Sequence, residues 1–481
     1  MLGRDGLVAV EPHGTSPFAA VHDAAGARFL GIDDAHDQIV AAGAISAVRV
    51  EAGRVAFAWR LPGVIAASIL AFFLFLLARR LFRSSLVAYV LGALVVVDGA
   101  MFAQARIGMN DIYTATGIVV GWYFVVTALS VTRRSWLPVL IAGIVFGLAL
   151  AAKWAAGPAL LAVGLVSLLV TARAFVAGRP GQGGAFDLLR WRGANAVYLL
   201  LCFVAIPVAI YVVSYIPWLG LGHGIFQSEN GSWSLIELQH QMFAYHSGLT
   251  APHPAGSPWW AWPLDLKPVY WEYEPAGGDR STFIYDAGNL VTWWAAIPAM
   301  LYCAWLAFTR RAWNLGLVVL AFATQYGEWL PVSRVLFQYH FFTALPFYLI
   351  ALAVGLTLLW QHAEPRRWLQ RESPVGVVLS GLGGVALVGA VAGLAYLVPG
   401  LVPIGIGGVG VAFVWLASHA ERRPLLAGNI IAGVLVGGLL WFVWFYPWLS
   451  ALPVPGWLSP AYVWLPTWQY GCQFYPSFRC T

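Results

Sequence analysis

Charge is scarce in this chain. Only 10% of the 481 residues are Asp, Glu, Lys or Arg, against about a quarter in a typical soluble domain. That shortage excludes an ordinary soluble enzyme and a disordered polyelectrolyte. Cysteine is scarce too, with four residues, and no C-x-x-C or His/Cys cluster occurs. A disulfide-rich secreted module is therefore excluded, and no metal site is expected. The net charge is only +6, and the basic residues fall in short clusters between apolar runs. No nucleic-acid partner is expected from such a pattern.

What is abundant is apolar surface: 60% hydrophobic residues and a mean hydropathy of +0.74. The sequence predicts an all-α polytopic integral membrane protein. Twelve stretches approach spanning length: 61–78, 84–104, 111–131, 136–153, 156–172, 194–217, 288–308, 312–327, 338–360, 375–398, 401–418 and 425–449. The stretches 156–172 and 312–327 are short for the ~20 residues a crossing needs, so 11–12 transmembrane helices are expected. The 25 Trp suit the aromatic belts at the two membrane interfaces.

Basic residues assign the sides. Sixteen lie on alternate connections: Arg79, Arg80, Arg83, Arg133, Arg134, Arg173, Arg179, Arg190, Arg192, Arg310, Arg311, Arg366, Arg367, Arg371, Arg422 and Arg423. The opposite side holds six: Arg106, Lys153, Lys267, Arg280, Arg334 and Arg479. The positive-inside rule makes the richer side cytoplasmic. The predicted organisation is then a polar extracytoplasmic segment 1–60, a bundle 61–217, a long extracytoplasmic loop 218–287, a second bundle 288–449 and an extracytoplasmic tail 450–481. Within the loop, Trp233, Ile236, Met242 and Phe243 predict an amphipathic helix over 233–246, lying on the membrane surface.

The polar first 60 residues are at odds with the rest. Asp5-Gly6 and Ala24-Ala-Gly26 read as turns, and Val48–Phe57 alternates like a hairpin. Asp33, Asp34 and Asp37 read as a solvated acidic turn. The topology puts this segment outside, with no signal peptide ahead of it to carry it across. Cys202 and Cys303 fall inside spans. Cys472 and Cys480 lie in the outer tail, where a disulfide is permitted but not required.

Ionisable residues in or beside apolar helices are expensive and point to function. They are Asp98, Arg106, Asp111, Lys153, Glu328 and Arg334, and all but Asp98 fall on the outer side. Each has a plainer reading. Asp98 suits an interhelical hydrogen bond, Arg106 and Asp111 an ion pair across a turn, and Lys153 a snorkelling helix end. Arg334 suits phosphate, which a guanidinium grips with two parallel hydrogen bonds. His240, His246 and His253 lie in the outer loop, and Asn230-Gly-Ser has the pattern of a glycosylation acceptor.

Five segments resemble, in order, the protein O-mannosyltransferase family. They are Asp98-Gly-Ala-Met-Phe-Ala-Gln-Ala-Arg-Ile-Gly-Met-Asn-Asp111, Lys153-Trp-Ala-Ala-Gly157, Gln241–Pro254 with Ser257–Trp262 and Lys267-Pro-Val, Arg334-Val-Leu-Phe-Gln-Tyr-His340, and Trp464-Leu-Pro-Thr-Trp468. The last looks like the bacterial form. The resemblance implies a GT-C membrane fold and inverting transfer of mannose from polyprenyl-phosphate-mannose to a Ser or Thr hydroxyl of a translocating protein. It implies no cofactor beyond the lipid-linked donor, an active face outside the plasma membrane, contact with membrane lipid, and association with the secretion machinery. It makes Arg106, Lys153 and Arg334 candidate donor-phosphate groups. Asp98, Asp111, His240, His246 and Glu328 become supporting residues, with Asp111 orienting Arg106.

One departure stands out. The family's first outer loop carries an Asp-Glu dipeptide whose Asp is the expected base, and this sequence contains no Asp-Glu. The sequence therefore reads as lacking the family's first helix and its base, and the catalytic residue is left unassigned. A non-catalytic GT-C-like partner and a transferase for another lipid-linked sugar stay open. A transporter fits less well, because the polar groups gather on one side rather than at the midplane and no repeat is visible.

Overall fold

The computed structural model describes residues 18–23, 26–33, 38–40, 55–130, 136–176, 192–217, 235–249, 253–362, 365–397, 404–405, 407–408, 410–412, 415, 424–469, 472–473 and 479–480. The chain divides into two compact units, Met1–Pro62 and Gly63–Thr481.

The first unit carries a small antiparallel sheet: β1 (Phe18–Asp23), β2 (Gly26–Asp33) and β3 (Gln38–Val40), in that order. Asp23 pairs with Gly26, so the chain reverses where the Ala24-Ala-Gly26 turn was read. Asp5-Gly6 and residues 48–54 lie outside the described residues. Val55–Phe57, expected in a hairpin, are instead the start of a 28-residue helix, α1 (Val55–Phe82). Apolar sequence favours the helix because it pairs its own backbone groups without help from water.

The second unit is built on helices. Among the described residues six are long and apolar enough to cross a membrane, within 60–82, 111–130, 196–214, 290–309, 374–394 and 425–450. Four shorter apolar helices accompany them. Left-handed Arg83 (φ 51°) separates α1 from α2 (Ser85–Val96), where the Ser84 side chain accepts from the Val87 N–H. The single helix expected over 84–104 is broken. Asp98 caps α3 (Gly99–Gln104), its carboxylate accepting from the Met101 N–H at 2.8 Å. A carboxylate beside a helix start competes with the continuing helix and starts a new one. A Cβ on Gly99 would collide with the Ala287 carbonyl, so this entry is tight.

Next come α4 (Asp111–Ser130), α5 (Trp136–Ala152) and α6 (Gly157–Val176). Then α7 (Arg192–Leu200) runs through a π turn into α8 (Ile206–Ser214). The surface helix is present as α9 (Leu235–Gly248), with Ile236 and Phe243 exposed and Leu238 buried. Trp233 lies outside the described residues.

The second unit is mostly helical but not helical throughout. The loop after α9 holds a hairpin, β4 (Tyr270–Pro275) and β5 (Arg280–Tyr285), turned by Gly277 and Gly278 at positive φ. Strand β6 (Val454–Pro455) adds to its edge, tying the tail to the loop.

Helices α10 (Leu290–Thr309) and α11 (Trp313–Gly327) follow. The helix expected over 338–360 is a 3₁₀ turn at Gln338–Thr343 and then α12 (Leu345–His362). Pro346 falls in the first turn of α12, where its missing N–H costs nothing. The short α13 (Pro365–Arg371) leads to α14 (Pro374–Leu397) and α15 (Pro424–Ser450). A Cβ on Gly384 of α14 would strike the Gly433 backbone of α15, the close small-residue contact typical of membrane helices. The helix expected over 401–418 lies largely outside the described residues. The tail ends in β7 (Cys472–Gln473) paired with β8 (Arg479–Cys480). Cys202 and Cys303 are free, whereas Cys472 is disulfide-bonded and lies opposite Cys480 in the strand pair.

Candidate donor-phosphate site

Two helix ends create the first part of the site. Asp111 is the first residue of α4, and Lys153 directly follows α5. Helices α4 and α5 pack along one another, so the two meet across 42 residues. Lys153 Nζ lies 2.7 Å from Asp111 Oδ1. Each charge is at the favourable pole of its helix, the anion at an N-terminus and the cation at a C-terminus. Asp111 is buried, whereas the Lys153 side chain keeps 22% of its exposure. The ammonium also lies over the Tyr339 ring, 5.4 Å from its centre.

Beyond Lys153 opens a cavity of about 800 Å³. Arg334, His246 and Glu328 share its wall with Lys153, and Tyr211, Tyr215, Met242 and Phe243 supply a more apolar side. Arg334 comes from the connection after α11. Its Nη2 is 3.5 Å from His340 Nε2. Burial, with Lys153 and Arg334 nearby, holds the His340 pKa well below the usual imidazole value. His340 Nδ1 lies within reach of both the Phe337 N–H (3.0 Å) and the Phe337 carbonyl (2.9 Å), and in the neutral tautomer protonated at Nδ1 the Nε2 atom accepts from Arg334. Trp329 packs on that ring with centres 4.1 Å apart. Among the described residues no carboxylate forms an ion pair with Arg334.

His246 sits on α9 facing the Trp154 ring. Its pKa is lowered by burial and by the Arg334 and Lys153 cations. Glu328 ends α11, and burial pushes its carboxyl up to about 8 although Lys153 pulls the other way.

Four expected residues therefore converge on one cavity: Lys153, Arg334, His246 and Glu328. Asp111 supports them from behind, but its partner is Lys153 rather than the expected Arg106. Arg106 is elsewhere: its Nη1 and Nη2 donate to the Leu449 and Ser450 carbonyls, each at 3.3 Å, at the end of α15. Asp98 does not line the cavity either. It is fully buried and accepts from Trp293 Nε1 at 2.6 Å. His240 is exposed on α9, away from the cavity lining.

Other site residues carried no clear sequence signal. Tyr211 accepts from Trp154 Nε1 at 2.6 Å and donates to Gln239, bridging α8, α9 and the turn after Lys153. Asn110 Nδ2 donates to the Ala152 carbonyl at 3.0 Å, clamping the ends of α4 and α5. The i, i+4 spacing of Tyr211 and Tyr215 on an otherwise apolar helix is the hint that was available. A second polar layer lies outside the cavity. There Asp286 accepts from Gln104 Nε2 at 2.7 Å, and burial pushes its carboxyl up to about 7. Among the described residues no three His, Cys, Asp or Glu converge as metal ligands would.

A guanidinium with no carboxylate partner among the described residues and an ammonium, lining one aromatic and apolar cavity, suit an anion attached to a lipid. Two family models match the chain. "Dolichyl-phosphate-mannose-protein mannosyltransferase" covers residues 45–217, and "C-terminal four TMM region of protein-O-mannosyltransferase" covers 233–468. The polyprenol-phosphate-mannose–protein mannosyltransferase of Mycobacterium tuberculosis is 24% identical over 463 residues, 86% of this chain and 77% of that protein. The protein of the same description from Mycolicibacterium smegmatis is 25% identical, over 64% of this chain and 68% of its own. The S. cerevisiae protein O-mannosyltransferase Pmt1-Pmt2 complex bound to the sugar donor has the same fold, with TM-score 0.58 at 11% identity, covering 86% and 81% of the two chains. That fold is the GT-C membrane fold, and this chain belongs to the protein O-mannosyltransferase family.

Proposed function

We propose that the chain transfers mannose from polyprenyl-phosphate-mannose to Ser or Thr hydroxyls of proteins, at the extracytoplasmic face of the plasma membrane. The observation that carries this reading is that two cations line one cavity, Lys153 and an Arg334 with no carboxylate partner among the described residues. In the transfer, the hydroxyl oxygen attacks the sugar C1 from the face opposite the phosphate. The C1–O bond breaks, polyprenyl phosphate leaves with the electron pair, and the hydroxyl proton passes to a base. Lys153 and Arg334 stabilise charge growing on the leaving phosphate, which is where fixed cations act most strongly. The phosphate already makes a good leaving group, so the reading calls for no cofactor beyond the donor. The sixteen-to-six asymmetry of basic residues supports an outward-facing cavity. An acceptor there would be met as it emerges from the secretion machinery.

The test is transfer of labelled mannose from polyprenyl-phosphate-mannose to a Ser/Thr-rich peptide, in membranes carrying the chain. Arg334→Ala should lower the rate by about 10²–10³-fold, the usual cost of losing one transition-state donor. Unchanged transfer would remove Arg334 from the site. Donor binding without any transfer by the unaltered chain would favour the non-catalytic partner.

A further inference from the structure

We propose that Glu328 enters the donor site as a neutral carboxylic acid and donates its proton in a hydrogen bond to the phosphate of the lipid-linked sugar. The inference rests on the cavity being a lipid-phosphate site, as proposed above. Glu328 lines the same wall as Lys153 and Arg334. A carboxylate there would be expected to pair with one of them. Among the described residues it pairs with neither: Lys153 is taken by Asp111, and Glu328 Oε1 is buried with no hydrogen-bond partner. Its position at the C-terminal end of α11 disfavours a negative charge, because the helix carbonyls point toward it. Burial acts in the same direction. A buried carboxyl kept neutral is a strong donor to an anion.

Charge balance leads to the same assignment. Asp111 cancels Lys153, and Arg334 is left with one positive charge. The other titratable groups on this wall are His246 on α9, whose pKa burial and the two cations hold below the usual imidazole value, and the phenols of Tyr211 on α8 and Tyr215 just after it. With Glu328 protonated the wall is net +1, which matches the single negative charge of a phosphodiester. With Glu328 ionised the wall is neutral and presents a carboxylate to the phosphate.

The test measures binding of a sugar-free polyprenyl methyl phosphodiester to the full chain in lipid nanodiscs. The probe keeps one charge throughout, so any pH dependence belongs to the protein. Affinity should fall ~10-fold as pH rises from about 7 to about 9.5. Glu328→Gln, which keeps a donor that cannot ionise, should bind nearly as well as the unaltered chain at low pH and stay level across that range. Glu328→Ala should bind ~10-fold or more weakly throughout. A level profile in the unaltered chain, no binding by it, or the same pH-dependent fall in Glu328→Gln would overturn the assignment. The Gln arm decides the matter even if the Ala variant folds poorly. The probe carries no sugar and the assay involves no transfer. Failure of mannosyl transfer would therefore count against the proposed function alone.

Discussion

Lys153 and Asp111 show how much one ion pair can carry when one end is buried. Removing Lys153 leaves the Asp111 carboxylate without its cation in a site of low dielectric, which is the costly way to break such a pair. Lys153→Ala should therefore destabilise the chain by ~2–4 kcal/mol, somewhat less than a fully buried pair because the lysine is partly exposed. Adding Asp111→Asn should recover much of that loss. Thermal unfolding of both single variants and the double variant in detergent measures the coupling, and simple additivity would mean that the two residues do not depend on each other. At this scale the sequence singled out residues that the fold brings to one cavity, but was a poor guide to what they touch. Lys153, Glu328 and Arg334 stood out because charge is rare and expensive in an apolar chain. Asp111 was paired on paper with Arg106 because the two are five residues apart. The helix that follows Asp111 turns its carboxylate toward a lysine 42 residues away instead. Tyr211 and Tyr215 were hidden because a phenol costs little in an apolar helix and leaves no mark on composition.

Helix ends, more than helix interiors, shape the site. Long apolar runs were legible because hydropathy marks them directly, but it says little about where a run is interrupted. The break at Asp98 comes from a side chain capping α3, and the 3₁₀ turn before α12 from burying Gln338, His340 and Thr343. Gly277-Gly278 marks the turn of the β4–β5 hairpin and Trp271–Glu274 alternate apolar with acidic, but Arg280–Tyr285 do not alternate, so the sequence signals only one of the two strands. Arg106 also acts at a helix end. Its fork satisfies two carbonyls that α15 leaves open, and its charge suits that pole. Arg106→Ala should cost ~1–2 kcal/mol of stability while donor affinity is retained. Unchanged unfolding together with lost donor affinity would return Arg106 to the donor site, where the family resemblance had put it.

Across the whole molecule, side assignment and site assignment depend on each other. The asymmetry of basic residues is independent of the cavity, yet Lys153 and Arg334 both fall on the side that is poor in positive charge. A cysteine placed at Ser333, beside the cavity, should react with an impermeant maleimide added outside intact cells. One placed at Thr309, beside Arg310 and Arg311, should react only after the membrane is opened. The reverse pattern would invert the topology. The tail is also part of the fold: Lys267 Nζ donates to the Gln469 carbonyl at 3.0 Å and to that of Cys472, anchoring the disulfide-bonded end. The sequence allowed that bond without requiring it, because seven residues of separation do not reveal a strand pair. The central claim is that Lys153, Arg334 and Glu328 hold the donor phosphate. The most direct measurement is a cryo-electron microscopy map of the full chain in nanodiscs with polyprenyl-phosphate-mannose bound. The account predicts phosphate density within hydrogen-bond reach of all three side chains, with the lipid leaving along Tyr211 and Phe243. Phosphate density beside Arg106 at the end of α15, with the Lys153–Arg334 cavity empty, would contradict it.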